Sequence, residues 1–166
     1  MFMNKHQVMN FIPHRDPFLF IDEVQEIILP EALKGLKPPF KNIDIVGGKV
    51  ICRFKVDHQV KVLEGHFPGN PILPGVVQVE MMAQAASFLC TFCLEKPIEE
   101  AILDVALIGI DSARFRKPVI PPMDLEIHAT LKKVRGAIQV YECELYHQGE
   151  LMSQTSVMAT LKINYR

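Results

Sequence analysis

One long stretch of the sequence is apolar on all sides, and it constrains the fold more than any other feature. From Pro74 to about Leu94 nearly every residue is hydrophobic, and a helix that is apolar all round has to be buried. Pro74 suits the first position of such a helix, because the backbone amide there has no partner inside the helix. A chain of 166 residues supports one ordinary core. We therefore expect a single domain, residues 1–166, built around this helix.

Strand-like segments lie on both sides of the apolar helix. Alternating apolar and β-branched residues predict strands over 19–28, 49–56, 106–115, 124–134, 137–147 and 150–163, and a short helix is expected over 5–11. A sheet that encloses one helix has to curl around it, so the pattern predicts an α+β fold with a long central apolar helix wrapped by a curled antiparallel sheet. The proline- and glycine-rich excursion over 29–48 interrupts the pattern, and the sequence assigns it no role.

Composition and motifs exclude several classes of function. The formal net charge is -1, which is not the basic balance of a nucleic-acid-binding protein. Cys90 and Cys93 form a lone C-x-x-C inside the apolar helix, which is more typical of small buried side chains than of a zinc site. No phosphate-binding or dinucleotide-binding glycine motif is present. We expect no metal, no cofactor and no nucleic-acid partner.

The apolar helix is long enough to cross a bilayer, but its sequence favours a core helix. Glu80 and two glutamines interrupt it, and ionisable residues are costly in a membrane. No apolar run follows Lys5, so no signal peptide is evident. We expect no membrane span and a cytoplasmic protein.

The loop before the helix and the helix itself each carry one member of a candidate acid–base pair. Three prolines and three glycines occupy the eleven residues from Gly65 to Gly75 and give the backbone around His66 an unusual path. One face of the helix carries its polar stripe, Glu80, Gln84, Ser87 and Thr91. A carboxylate in the polar stripe of a buried helix is better explained by function than by packing. His66 and Glu80 are therefore the candidate base and acid.

Three blocks of sequence, in this order along the chain, resemble a known enzyme family. They are IPHRDPFL from Ile12, GHFPG from Gly65 through Glu80 to Ala83-Gln84-Ala85, and GIDSARFRKPV from Gly109. The blocks resemble those of the (3R)-hydroxyacyl-[acyl-carrier-protein] dehydratases of bacterial fatty-acid synthesis, of the type whose helix carries Glu. The resemblance implies a hot-dog fold and a homodimer in which His66 of one subunit meets Glu80 of its partner. Similar dehydratases commonly assemble further, as trimers of dimers.

The residue types match what dehydration of a 3-hydroxyacyl thioester requires. His66 is the expected base for the proton beside the carbonyl, and Glu80, with a pKa raised by burial, is the expected acid for the departing hydroxyl. Gly75, at the helix start, is expected to offer its backbone N–H to the thioester oxygen. Phe67 is a candidate lining residue of the acyl site. His14 lies in a matching block, and we assign it a structural role.

The partner and the pathway have more than one interpretation. Acyl carrier protein is acidic, and Arg114, Arg116 and Lys117 form the densest basic cluster, which is either a carrier contact or a solvated charged rim. The alternatives to bulk fatty-acid synthesis are a specialised polyketide-like or aryl-polyene pathway, a hot-dog thioesterase, and a non-catalytic acyl-binding scaffold subunit. The excursion over 29–48 and the segment from Val60 to Glu64 depart from the family pattern, and they bear on the substrate more than on the reaction.

Overall fold

Two α-helices and one six-stranded sheet make up the protein, whose computed structural model describes all 166 residues. Helix α1 spans Lys5–Phe11, and helix α2 spans Gly75–Ala86 and continues as a 3₁₀ helix over Ser87–Cys93. The strands are β1 (Glu23–Ile28), β2 (Lys49–Val56), β3 (Ala101–Phe115), β4 (Met123–Arg135), β5 (Ile138–His147) and β6 (Glu150–Tyr165).

All neighbouring strands of the sheet are antiparallel, in the order β1-β2-β4-β5-β6-β3. Tight turns join β4 to β5 and β5 to β6, with backbone of positive φ at Gly136, Gln148 and Gly149. Strand β3 shifts its register against β6 twice, between Leu107 and Gly109 and again between Ile110 and Ser112. Such irregularities bend and twist a strand. Strands β1 and β3 are the two edges of the sheet.

The inner face of the sheet packs against helix α2 and the 3₁₀ segment that follows it. Burial alternates along the central strands, so that β2 directs Val50, Cys52, Phe54 and Val56 inward and β4 directs Leu125, Ile127, Ala129 and Leu131 inward. One contiguous cluster of 37 buried hydrophobic residues draws on both helices and all six strands. The predicted α+β architecture, with its central apolar helix, is confirmed.

The central helix also passes the length and composition test for a membrane span. The stretch Gly75–Cys93 is 19 residues long, and 67% of its apolar window is buried inside the fold. The core helix of a soluble protein passes the same test, so this single stretch is weak grounds for a membrane crossing.

The excursion between β1 and β2 packs over the far end of the central helix. The Phe40 N–H donates to the Phe92 carbonyl at 2.9 Å, and Ile45 is fully buried. Gly48 allows this close approach, because a Cβ there would lie 2.9 Å from both the Ile45 carbonyl oxygen and a methyl of Leu89. The excursion thus contributes to the core as well as joining two strands.

Two predicted strands differ from the observed ones at their starts. Strand β1 begins at Glu23 rather than at residue 19, because the Phe20 N–H donates to the side chain of Gln84 instead of to a neighbouring strand. Strand β3 begins at Ala101, five residues earlier than predicted, because Ala101 pairs with Tyr165 near the end of β6. Both differences arise from contacts between distant parts of the chain.

Replacing Met82 by Ala is expected to lower the free energy of unfolding by about 2 to 5 kcal/mol, because the truncation leaves a cavity inside the core. Met82 is fully buried on α2, whereas Val76 on the same helix is 77% exposed. Val76→Ala is the matched control and should change the free energy by no more than about 0.5 kcal/mol. Urea unfolding at one fixed protein concentration measures both values. Equal losses in the two variants would contradict the enclosure of the helix.

Candidate active site

A tight turn presents His66 just ahead of helix α2. The Ile72 N–H donates to the His66 carbonyl at 2.8 Å, and Phe67 and Asn70 exchange two backbone hydrogen bonds of 3.1 and 2.9 Å. Gly69 completes the turn with a φ of +76°, a left-handed conformation that glycine adopts without strain. The hydrogen bonds close the turn on itself, so the backbone at His66 has a defined position.

One hydrogen bond orients the imidazole of His66. Its Nδ1 lies 2.7 Å from the carbonyl oxygen of Ile72. A carbonyl oxygen only accepts hydrogen bonds, so Nδ1 carries the proton, and in the neutral ring Nε2 has the free lone pair. The ring of Phe67 stacks on the imidazole with 4.1 Å between the centroids. His66 is therefore held in the tautomer that makes Nε2 the basic atom.

His66 lines an open cavity of about 550 Å³ at the start of α2. Gly75 and Val76 belong to the same cavity wall, and no side chain caps the helix, so the amides of these two residues have no partner in the chain. Unpartnered amides at the positive end of a helix bind developing negative charge. The cavity therefore places the imidazole of His66 beside free amides at a helix terminus.

Gly75 packs closely against a side chain of edge strand β3. A Cβ at this position would lie 2.8 Å from the ring of Phe115, at the end of edge strand β3. Arg116 and Lys117, which follow Phe115, also line the cavity. The structure thus places Gly75 and two of the three predicted basic residues beside His66.

Two of the predicted binding residues lie outside the walls of this cavity. Phe67 is 51% exposed and contacts the imidazole face. Arg114 is exposed on β3, one residue before Phe115. Neither residue is part of the cavity wall within one chain.

Glu80 lies in a second, smaller cavity of about 60 Å³ further along α2. Val105 and Leu107 of β3 and Ala159 of β6 supply its apolar wall, and His14 completes the other side. His66 is not part of this wall, and it forms no hydrogen bond or ion pair with Glu80. One chain therefore holds the predicted base and the predicted acid in separate cavities.

Two side chains bind the same oxygen of the Glu80 carboxylate. The Nε2 of His14 lies 3.3 Å from Oε1 of Glu80, and the Nε2 of Gln84 donates to that oxygen at 2.9 Å. The hydrogen bond with His14 is the largest influence on the pKa of Glu80 and lowers it, while burial raises the pKa and Gln84 lowers it further. The net effect is a lowered pKa. The expectation of a raised pKa for Glu80 is wrong for the single chain, because hydrogen bonds to the ionised form outweigh desolvation.

Gln84 is the residue of this site to which the sequence assigned no role. Its side chain accepts from the Phe20 N–H at 3.0 Å and donates to the Phe18 carbonyl at 2.8 Å, in addition to its bond with Glu80. Gln84 is almost fully buried. It fastens the segment that carries His14 to helix α2. The signal available in the sequence was its position one helical turn after Glu80 in the polar stripe.

Comparison with known proteins shows similarity to dehydratases over most of the chain. A family model described as ApeI-like, for ApeI dehydratase, matches residues 43–155. The 3-hydroxyacyl-[acyl-carrier-protein] dehydratase FabZ of Nitratiruptor sp. is 35% identical over 157 residues, which covers 93% of this chain and 95% of that protein. The bifunctional enzyme LpxC/FabZ of Chlorobaculum tepidum is 36% identical over 154 residues, and this chain spans 29% of its length.

Solved structures support the fold. The dehydratase heterocomplex ApeI:P from Xenorhabdus doucetiae aligns with a TM-score of 0.64 at 18% identity, over 93% of this chain and 90% of that chain. Several thioesterases align with TM-scores between 0.51 and 0.57 at 12 to 18% identity. At such low identity these likenesses concern the fold alone, and they confirm the predicted hot-dog fold.

Replacing Gln84 by Leu is expected to lower the free energy of unfolding by about 1 to 3 kcal/mol, because the buried Phe20 N–H loses its partner. Gln78 is the matched control, since it is equally buried on the same helix. Its Nε2 donates only to the Leu73 carbonyl at 3.2 Å, and its Oε1 has no partner. Gln78→Leu should therefore cost less than about 1 kcal/mol. Urea unfolding distinguishes the two, and similar losses would argue against the bridging role of Gln84.

Proposed function

This chain belongs to the 3-hydroxyacyl-[acyl-carrier-protein] dehydratase family, and we propose that it removes water from a (3R)-3-hydroxyacyl group carried as a thioester on acyl carrier protein, in fatty-acid synthesis. The product is the trans-2-enoyl thioester. The observation that carries the proposal is the orientation of His66, whose Nδ1 is bound to the Ile72 carbonyl so that Nε2 is the basic atom, in a cavity that the uncapped start of α2 also lines. The (3R) configuration follows from the family resemblance.

In the first part of the reaction, Nε2 of His66 takes the proton from the carbon next to the thioester carbonyl. Negative charge then grows on the thioester oxygen. The backbone N–H of Gly75, at the positive end of α2, stabilises that charge. Because the amide is already in place and has no other partner, it stabilises the charge without any rearrangement of the protein.

In the second part, Glu80 gives a proton to the hydroxyl on the next carbon, which leaves as water while the double bond forms. The proton that His66 has accepted then returns to Glu80 through solvent, and the enzyme is restored. The pKa of Glu80 is lowered in the single chain, which favours the carboxylate, whereas the reaction needs Glu80 in its protonated form. Enclosure of the carboxylate by a second subunit and by the acyl chain removes water and favours that form.

The partner subunit is part of the proposal, because the base and the acid of one chain lie apart. Both cavities adjoin edge strand β3, the first through Phe115 and the second through Val105 and Leu107. The free edge of β3 is 15 residues long and exposes large side chains, including Ile108 and Ile110 at 49% and 50%. An apolar, unpaired edge strand of this length is normally covered by another element or another subunit.

A second copy that pairs along β3 supplies this cover and places His66 of each subunit opposite Glu80 of the other. The site is then complete only in the homodimer, with two equivalent sites per dimer. Further assembly into a trimer of dimers remains an expectation from the family resemblance.

The carrier protein is proposed to dock beside the His66 cavity. Arg116 and Lys117 form the basic part of its wall. The guanidinium of Arg116 donates to the Gln154 side chain at 2.9 Å, and Lys117 pairs with Glu150. Arg114 is the exposed neighbour on the same strand. A basic wall of this kind attracts an acidic carrier. By the family resemblance, this wall lies at the entrance through which the thioester reaches the site. A cytoplasmic location fits this role.

A second candidate is a dehydratase of a specialised pathway. It is favoured by the family model, which is that of ApeI dehydratase, although the curated relatives with matching length are FabZ enzymes. The chemistry is the same in both candidates, and the acyl chain differs. The thioesterase and scaffold readings are separated from both by the product, since a thioesterase releases a free acid and a scaffold leaves the substrate intact.

The proposed function is tested by converting 3-hydroxybutyryl and 3-hydroxydecanoyl carrier protein, with the products identified by mass spectrometry. The wild type is expected to form enoyl products, and His66→Ala and Glu80→Gln should each lose at least about 100-fold in kcat. Mixing the two variants under conditions of subunit exchange should restore about one quarter of the wild-type activity, because half of the dimers are mixed and each mixed dimer retains one intact site.

Two results would contradict this proposal. Intact substrate or free acid from the wild type would exclude dehydration. Two inactive variants that stay inactive after exchange would exclude a site shared between subunits, provided that mass spectrometry of the intact dimers detects the mixed species.

Charge reversal at Arg116 and Lys117 is expected to raise KM for the carrier-linked substrate about 10-fold, because the acidic carrier loses attraction and meets repulsion. KM for a small N-acetylcysteamine thioester should not change. Lys132→Glu is the matched control, since Lys132 also pairs with an acidic residue, Glu142 at 3.2 Å, on a different part of the surface. Equal changes in KM for both substrates would contradict the proposed contact between these residues and the carrier protein.

A further inference from the structure

His14 lies against the acid of the proposed site although it is far from it in sequence. Its Nε2 is 3.3 Å from Oε1 of Glu80, and each of the two side chains is 25% exposed. His14 follows helix α1 and precedes β1, in a segment without regular secondary structure. The contact therefore depends on how that segment is held against α2.

The backbone on both sides of His14 is fixed. The guanidinium of Arg15 donates to the Ile12 carbonyl at 3.0 Å and to the His14 carbonyl at 2.6 Å. Further along, Gln84 binds the backbone of Phe18 and of Phe20. The segment is thus tied to itself before His14 and to the catalytic helix after it. The position of the imidazole follows from these bonds and is not that of a loosely placed surface side chain.

His14 is the one titratable side chain of this chain that faces Glu80. Strands β3 and β6 contribute only Val105, Leu107 and Ala159 to the cavity, and the helix contributes Ala83, Gln84 and Ser87. The nearest other cation on the same segment, Arg15, directs its guanidinium to backbone carbonyls. In the proposed dimer, His66 of the second subunit also approaches Glu80.

The ring of His14 has no other hydrogen-bond partner. Its Nδ1 is buried and unpartnered. The single polar contact of the ring is with the Glu80 carboxylate, so His14 has no polar partner that competes for its Nε2.

We propose that His14 is a positioning residue of the active site, whose Nε2–H holds Oε1 of Glu80 and leaves Oε2 as the oxygen that exchanges a proton with the substrate hydroxyl. This proposal rests on the proposed function. Gln84 binds the same oxygen, Oε1, from the helix side, so two donors converge on one oxygen. With Oε1 occupied twice, the carboxylate is oriented by the protein before substrate arrives, which is the preorganisation that acid catalysis needs.

The proposed role of His14 affects how kcat/KM depends on pH. Hydrogen bonding to His14 lowers the pKa of Glu80, and burial alone would raise it. Removing the donor therefore raises the pKa of Glu80. A carboxyl with a lowered pKa titrates on the acid side of the rate profile, so the acid limb of kcat/KM moves to higher pH when that pKa rises.

Two variants of His14 test the proposal on the full-length protein, with the small 3-hydroxybutyryl thioester as substrate. His14→Leu removes the donor, and it should lower kcat about 10- to 100-fold with little change in KM, because the carboxylate is no longer held in place. His14→Gln keeps an N–H donor at a similar reach and should recover most of kcat. The acid limb of the kcat/KM profile should move to higher pH in His14→Leu.

A matched histidine elsewhere provides the control. His128 is also half-buried, and its Nε2 lies 2.6 Å from Oε1 of Glu126 on the outer face of the sheet. Its Nδ1 is likewise buried and unpartnered. His128→Leu and His128→Gln should therefore reproduce any loss that comes from disturbing a buried histidine–glutamate pair, and should leave the pH profile unchanged.

The outcomes separate the two proposals. An inactive wild type overturns the proposed function and this inference with it. An active wild type whose His14→Leu variant keeps the wild-type kcat and the wild-type pH profile overturns only the role of His14. If His14→Leu does not fold by thermal unfolding and gel filtration, His14→Gln decides. The proposal predicts that this variant keeps most of kcat, and a folded His14→Gln variant that loses kcat 10-fold or more would overturn it.

Discussion

The burial of one helix governs the rest of this structure. Helix α2 and the 3₁₀ turn after it place apolar side chains on several faces, and such a helix is stable in water only when a sheet encloses it. Enclosure requires a curled sheet, and register shifts in β3 accompany the curvature. The polar stripe that begins at Glu80 is the exception to the apolar surface. That stripe is therefore where polar groups from the N-terminal segment contact the helix.

The conflict between burial and polarity at Glu80 is resolved by hydrogen bonds. Removing a carboxylate from water raises its pKa, but two donors on one oxygen reverse the direction. Gln84 and His14 offset the cost of partly burying this charge, and they also connect the N-terminal segment to the helix. Structural stability and the electrostatics of the acid thus depend on the same few contacts.

Much of the fold and part of the site could be predicted from the sequence, because those features are set by local patterns. The central helix follows from continuous apolar residues, and strands β2 and β5 follow from alternation. His66 and Glu80 stand out because a histidine in a rigid loop and a carboxylate in a core helix are chemically unusual. Their catalytic roles stay predictions, whereas the family and the fold are confirmed by the comparisons.

The features that the sequence did not reveal depend on contacts between distant residues. The start of β1 is set by Gln84, which is 64 residues from Phe20, and the lowered pKa of Glu80 depends on His14 from the same distant segment. Neither contact leaves a periodic signal in the sequence. Local pattern identifies a residue as polar in an apolar context, but only the packed fold shows which partner it meets.

The separation of base and acid within one chain has a consequence for how the site titrates. The Ile72 carbonyl sets the tautomer of His66, and two donors on the Glu80 carboxylate favour its ionised form. In the proposed dimer the two groups share one cavity, and the apparent pKa values of two such coupled groups belong to the pair. The interface of the proposed dimer is then more than a scaffold, because it creates an acid–base pair that neither subunit has alone.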